Sequence, residues 1–390
     1  MLAKKILAGL SLTALLAVAN SAQAMELQAA IEKALNEHPE LQISLNDREA
    51  IAHEIRQAYA GFLPRVDFDL GYGYEHSDNA TTRARNNVDQ ELWRREAGVR
   101  ATQSLLDGRR SASQVEREQA RFMAADARVQ EVAEDIALRT IEQYLEVRRH
   151  RALVSIATES VKRHTQYVQE IESIVAAGRA SQADLEQARG RMALAEARQL
   201  QAQGLLDEAE ARFFNLVGEK PTILAGVEAP LGSLPTQVAD LIETAISKHP
   251  RLFTSHYRVK AAEAEVKVAQ SNFSPRVNFE LGATDNRNID GGKGTSDDWS
   301  AMLRLRYNLY NGGQDAAEKQ EQYARLMATR DNLDNDRRTV EQNARIAWSE
   351  YQVSSQRLGA LQRHAEASEQ TRAAYAEQFN PGQRTLLDLL

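Results

Sequence analysis

Residues 27–185 and 238–389 carry the same landmarks in the same order. At an offset of 211, His38-Pro39 falls on His249-Pro250 and Phe62-x-Pro64-Arg65-Val66 falls on Phe273-x-Pro275-Arg276-Val277. Phe68, Leu70 and Gly71 likewise fall on Phe279, Leu281 and Gly282. The offset then drops to 204, and Leu105, Gly108, Gly178, Asp184 and Leu185 match Leu309, Gly312, Gly382, Asp388 and Leu389. A repeat this long predicts a fold made of two copies of one unit. The change of offset places a length difference near the loop that joins two predicted strands, where insertions are tolerated.

Each copy reads helix, strand, strand, long helix, helix. The opening helical segments, about 27–61 and 238–272, are predicted to break at His38-Pro39 and His249-Pro250, because proline disfavours helix at the residue before it. Strand periodicity begins after Pro64 and Pro275. Val66, Phe68, Leu70, Tyr72 and Tyr74 alternate with Asp67, Asp69, Gly71, Gly73 and Glu75. In the second strand, about 93–106, Trp93, Ala97, Val99, Ala101 and Leu105 oppose Arg94, Glu96, Gly98, Arg100, Thr102 and Ser104. The third, about 277–285, repeats the first. The fourth, about 299–309, sets Trp299, Ala301, Leu303, Leu305, Tyr307 and Leu309 against Ser300, Arg304, Arg306 and Asn308. Alternation over roughly ten residues with aromatics near the ends is how a transmembrane β-strand reads when one face meets lipid and the other water. A half-buried antiparallel sheet of a soluble domain is the competing reading.

The joining loops, His76 to Glu91 and Asn286 to Asp298, are polar. Gly291-Gly292-Lys293-Gly294-Thr295 lacks the residue order of a phosphate loop and precedes a strand, so it reads as a flexible tip. Beyond Gly108, the stretch Ala112 to Ala177 contains neither Gly nor Pro. At about 1.5 Å per residue it could extend about 100 Å. Such a rod must pack against other rods along its length. Gly178 is placed to end it. A second helix restarts by Asp184 and runs to about Val217, and residues 219–237, with three prolines, link the copies.

The N-terminus narrows the compartment. Lys4 and Lys5, the apolar run Ile6 to Val18, and Ala22-Gln23-Ala24 read as a secretory signal over residues 1–24. Its loss moves the formal net charge from −7 to −9, which argues against a nucleic-acid partner. The chain has no Cys, so packing and assembly must supply its stability. No catalytic constellation emerges. His53-Glu54 lacks the second His of a zinc-protease motif, since Gln57 stands there. No metal site and no cofactor are expected.

Four strands cannot close a barrel. An open sheet in lipid leaves unsatisfied edges, so other copies of the chain must complete it. Two chains give eight strands and three give twelve. A charged inner face carrying Asp67, Asp69, Arg94, Arg100, Arg304 and Arg306 favours the wider, wet barrel.

The element order, the duplication, the Phe-x-Pro that precedes each strand pair, and the Gly-x₅-Asp-Leu turns resemble the TolC family of outer-membrane channel proteins. The resemblance covers residues 25–390. It implies an α+β membrane protein: a long α-helical coiled-coil barrel plus four transmembrane β-strands per chain, in a homotrimer forming a 12-stranded β-barrel. The barrel would sit in outer-membrane lipid, with the helical part in the periplasm. The first repeat then spans 25–218 and the second 238–390. Family members are passive exit ducts for type I secretion or tripartite efflux. They work with a periplasmic adaptor and an inner-membrane ABC transporter or other pump. The resemblance also implies a periplasmic constriction. By motif position Asp184 belongs to it from the first copy, and Phe379, Arg384 and Asp388 from the second. Phe379 stands where some relatives carry a gate tyrosine. A ring of Asp388 from three chains would bind cations. Alternatively, Asp184 and Asp388 serve the first turn of a helix through its dipole. The run Phe379 to Asp388 looks more like the type I secretion branch than drug efflux, which stays open. A soluble periplasmic coiled-coil adaptor is the alternative of another class. The first copy also predicts a closing helix beyond Leu390, so the sequence reads as a fragment or, alternatively, as a truncated chain whose helical tunnel is incomplete.

Overall fold

The computed structural model describes residues 24–84, 90–228 and 234–379. The signal segment, Arg384 and Asp388 lie outside these. The described chain runs α1 (Leu27–Glu37), α2 (Pro39–Tyr59), β1 (Arg65–Ser77), α3 (Ala80–Ala84), β2 (Gln90–Leu106), α4 (Arg110–Ala176) and α5 (Gln182–Val217). The second copy follows as α6 (Val238–Lys248), α7 (Pro250–Gln270), β3 (Arg276–Arg287), β4 (Thr295–Arg306) and α8 (Gln314–Phe379). Single 3₁₀ turns at Ala60–Phe62 and Ser271–Phe273 lead into each strand pair.

The duplication is visible in backbone angles. His38 ends α1 at φ −68°, ψ 125°, and His249 ends α6 at φ −67°, ψ 123°. Both are the extended conformation that a following proline imposes. After β2 the chain turns through Gly108 and Arg109 at φ 65° and 67°, and after β4 through Gly312 and Gly313 at φ 72° and 87°. A Cβ on Gly108 would collide with Ser274, so that position also needs the missing side chain. The long helices are continuous, 67 residues in α4 and 66 in α8.

The described chain forms two compact units, each drawing on both repeats. One contains residues 24–38, the rest of α4 from Ile136, α5, the segment after it and the end of α8 from Thr371. Here α4 and α5 form an antiparallel hairpin. Val168, Ile171, Leu185 and Ala188 are its buried seam near the turn, flanked by Tyr167, Val175 and Met192. Farther along, Tyr144 and Phe213 are fully buried with ring centroids 6.4 Å apart. The Tyr144 hydroxyl lies 2.7 Å from the Met25 carbonyl and 3.0 Å from that of Ala225. It thereby fastens a short parallel bridge between Met25 and Leu224.

The other unit holds α2, α3, the first turns of α4, α6, α7, most of α8 and the sheet. Val259, Val266 and Leu326 bury one another, with Ala262 and Leu333 packed on them. Ion pairs lace the helices: Arg48 to Asp126 at 3.1 Å, Arg117 to Glu265 at 2.7 Å and Arg251 to Asp336 at 2.8 Å. The sheet is antiparallel in the order β1-β2-β3-β4. β4 begins at Thr295 and ends at Arg306, so Tyr307 and Leu309 fall in the connection to α8 instead of the strand. Thr295 to Asp298 are polar on both faces, and period-two hydrophobicity cannot reveal such a start. Helix α3, inside the first loop, was not legible either.

Candidate channel-forming site

The sheet has two chemically opposite faces. Val66, Phe68, Leu70 and Tyr72 are 65–73% exposed on one face of β1. Trp299, Leu303 and Leu305 are 65–81% exposed on the same face of β4. Burying such side chains in apolar surroundings stabilises each by about 1.5–3 kcal/mol, so water is not their natural neighbour. Tyr72 stacks on Trp93 at 5.4 Å, and Tyr74 meets Trp93 edge-on at 5.5 Å. These rings gather at the loop end of the sheet, as interfacial aromatics do.

The apolar runs are out of step between strands. In register, Leu70 faces Ala97, which faces Asp285, which faces Asp297. The apolar run of β4 therefore begins below the level where that of β1 is centred. Glycines on the opposite face follow the same diagonal: Gly98 faces Asp69, not Gly71, and Gly282 faces Arg100, not Gly98. Strands tilted in a membrane-spanning barrel require such a stagger, because a level band crosses each strand at a different residue.

The polar face holds Asp67, Asp69, Arg94, Arg100, Arg304 and Arg306, the strand residues expected from sequence to face water. Asp67 accepts a hydrogen bond from Arg65 at 2.8 Å and faces Arg100 in register. Arg304 and Arg306 both reach Glu280, at 3.0 and 3.2 Å. Arg94 pairs with Glu75 and Glu96. An open trough of about 670 Å³ runs along this face, lined by Asp69, Glu96, Arg100, Glu280, Arg304 and Arg306 among others. The carboxylates of Glu75 and Glu96 partner Arg94 toward the loop end of the sheet, and that of Glu280 partners Arg304 and Arg306 toward the other end. Alternation had put them on this face without showing the pairing.

The Gly291 segment is not a free tip. Gly291 N–H donates to Glu75 Oε1 at 2.8 Å, and Asn288 Nδ2 donates to the Trp93 carbonyl at 2.9 Å. Its partners lie on the other hairpin, which local composition cannot announce.

The turn between α4 and α5 has its own geometry. Gly178 N–H donates to the Val175 carbonyl and Arg179 N–H to that of Ile174, closing α4 with a left-handed glycine at φ 71°. Ser181 then caps α5, and Asp184 sits at its third position. Phe379 is the last residue of α8. Asp184 is thus the one member of the expected constriction whose side chain is described, and it engages its own helix start.

The outer membrane efflux protein model matches residues 30–219 and 241–390, both copies with their helices and strands. The chain belongs to the outer membrane efflux protein family. Membership places it in the outer membrane, and the fold is that of outer-membrane channels. Among its relatives is the proteases secretion protein PrtF of Dickeya chrysanthemi, 23% identical, covering 95% of this chain and 82% of PrtF. The outer membrane efflux protein BepC of Brucella suis biovar 1 (strain 1330) is 22% identical, covering 75% of this chain and 64% of BepC. The solved structure of the outer-membrane channel OprN superposes with a TM-score of 0.80 at 20% identity, covering 93% of this chain and 82% of that one. No helix among the described residues is long and apolar enough to cross a membrane.

Proposed function

We propose that this efflux-family chain is the exit duct of a type I protein-secretion system. It forms a homotrimer whose twelve strands line a pore in the outer membrane and whose helices continue as a periplasmic tunnel. The observation that carries this reading is the sheet itself. It has an exposed apolar face, a charged face, and two strands, β1 and β4, with an unpaired edge. In lipid each bare edge group costs several kcal/mol, so the edges must meet those of other copies. Exposed apolar side chains along the hairpin, such as Ile156 at 66% and Leu200 at 74%, offer further surface for neighbouring copies.

The duct is passive and works with a periplasmic adaptor and an inner-membrane ABC transporter. The secretion branch is supported by PrtF and by the alkaline protease secretion protein AprF of Pseudomonas aeruginosa, whose names state protease secretion. The similarity to BepC favours small-molecule efflux as the second reading. Asp184, Phe379, Arg384 and Asp388 are proposed to surround the periplasmic constriction, and Asp67, Asp69, Arg94, Arg100, Arg304 and Arg306 the barrel lumen. Heat-modifiable trimer bands in outer-membrane fractions are expected. A secretome that loses proteins on deletion, with unchanged drug sensitivity, supports the secretion branch; the opposite pair of results replaces it with efflux. An Asp388→Asn variant is expected to lose cation block in single-channel recordings.

A further inference from the structure

The two loops beyond the sheet are fastened to each other. Asn79 Nδ2 donates to the Asp290 carbonyl at 3.0 Å. Gly291 N–H and the Ser77 hydroxyl both donate to Glu75 Oε1, at 2.8 and 2.5 Å. Arg94 pairs with the same carboxylate and stands 3.7 Å from Asp290 Oδ1. Glu75 is only 14% exposed at its side chain, so these bonds are partly shielded from competing water.

Shape reinforces the bonds. Gly291 has φ 72°, and a Cβ there would lie 2.9 Å from Ser77 Cβ and collide with Thr82. Thr82 is 1% exposed and is held by reciprocal bonds with Asn79 at 2.9 and 3.1 Å. The β3–β4 tip therefore rests on a firm seat made by β1 and α3. Strand alternation gives the direction. Tyr74 and Trp93 are on the apolar face, so their neighbours Glu75 and Arg94 are on the polar face, with Asp67 and Asp69. The tip is folded over the side that would line the pore.

We propose that the Asp290–Gly291 tip is an inward-folded latch, held by Glu75 and Arg94, that narrows the outer mouth of the channel. It is a second constriction, at the end of the chain's sheet opposite the helices. In a ring of copies, one latch per chain would converge on the axis, so the mouth would admit small solutes while excluding bulky ones from outside. Opening requires the Glu75 carboxylate to release Gly291, and outward-moving cargo could drive it from within.

This inference rests on the channel reading above, and one experiment separates the two. The chain has no native Cys, so Ser300→Cys is a unique thiol on the polar face below the latch. Intact cells are treated from outside with a small maleimide or with a bulky polyethylene-glycol maleimide. The small reagent is expected to label Ser300→Cys and the bulky one to label it slowly. Adding Glu75→Gln or Gly291→Val is expected to raise the bulky rate about tenfold, the factor corresponding to about 1.4 kcal/mol of lost bonding, and to leave the small rate unchanged. Equal bulky rates with and without the latch changes overturn the latch and leave the channel intact. If the small reagent labels only denatured protein, the pore reading fails and the latch with it. Glu75→Gln keeps the side-chain shape, so it stands as the readout if Gly291→Val is not assembled.

Discussion

Ser181 and Asp184 cap each other across the start of α5: Ser181 Oγ accepts from Asp184 N at 3.2 Å, and Asp184 Oδ2 accepts from Ser181 N at 3.1 Å. This capping box satisfies two backbone donors that a helix start leaves orphaned. Replacing either residue by Ala is expected to weaken the first turn of α5 by about 1 kcal/mol. Faster amide exchange over Gln182 to Glu186 would register it. If Asp184 also serves the constriction, Asp184→Asn alters cation block whereas Ser181→Ala does not.

The turn after β2 contains an asymmetry between the copies. Arg109 holds φ 67° where its counterpart Gly313 holds φ 87° without a side chain to strain. Arg109→Gly is expected to stabilise the unit by about 1 kcal/mol, the lower end of the left-handed penalty for a residue with a Cβ. Gly108→Ala should do the reverse, since its Cβ would press on Ser274. Midpoints of thermal unfolding for the two variants should move in opposite directions.

Acid should loosen the α4–α5 hairpin at one identifiable residue. Burial, and then the charges of Arg191 and Arg198, push the His164 ring below its ordinary value of 6.5. The native ring therefore resists a proton that the unfolded chain accepts. Stability from this site is complete above the unfolded value and declines as pH falls from there toward the lower native value. His164→Gln is expected to flatten that decline. Amide exchange of the hairpin, compared above and below the ordinary histidine value, measures it.

Tyr144→Phe removes the one hydroxyl that reaches both Met25 and Ala225. The two carbonyls lose the single proton they share, while the Met25 carbonyl keeps the Ala225 N–H, so the expected cost is about 1 kcal/mol. Faster exchange at the Met25 and Ala225 amides, whose bonds to Ile223 and Met25 hold the bridge, would show the bridge opening. Unchanged exchange there would mean that the bridge holds without the tyrosine.

Much of this was legible because it is local. The breaks at His38 and His249 follow from the next residue being proline, and the faces of β1 follow from alternation between Val66 and Tyr74. What was not legible is non-local. The pairing of β2 with β3 joins Val99 to Ala283 across nearly half of the chain. The first residues of β4 are polar on both sides and are strand only because Arg287 and its neighbours pair with them. Gly291 looked like slack because its partner Glu75 belongs to another hairpin. Alternation put the arginines on the polar face but did not show which carboxylate each one meets, since that depends on register and tilt. Arg384 and Asp388 lie outside the described residues.

The diagonal stagger of the sheet restricts how such a chain can change length. Deleting one residue from β2 would exchange its oily and wet sides from that point on. Deleting two would restore the sides but shift Gly98 off the diagonal that runs from Gly71 to Gly282. Neither rule reaches past Ser77 or Arg287, where the strands have ended. The loops there are free to drift in size, and it is in or near them that the two copies fall out of step from 211 to 204.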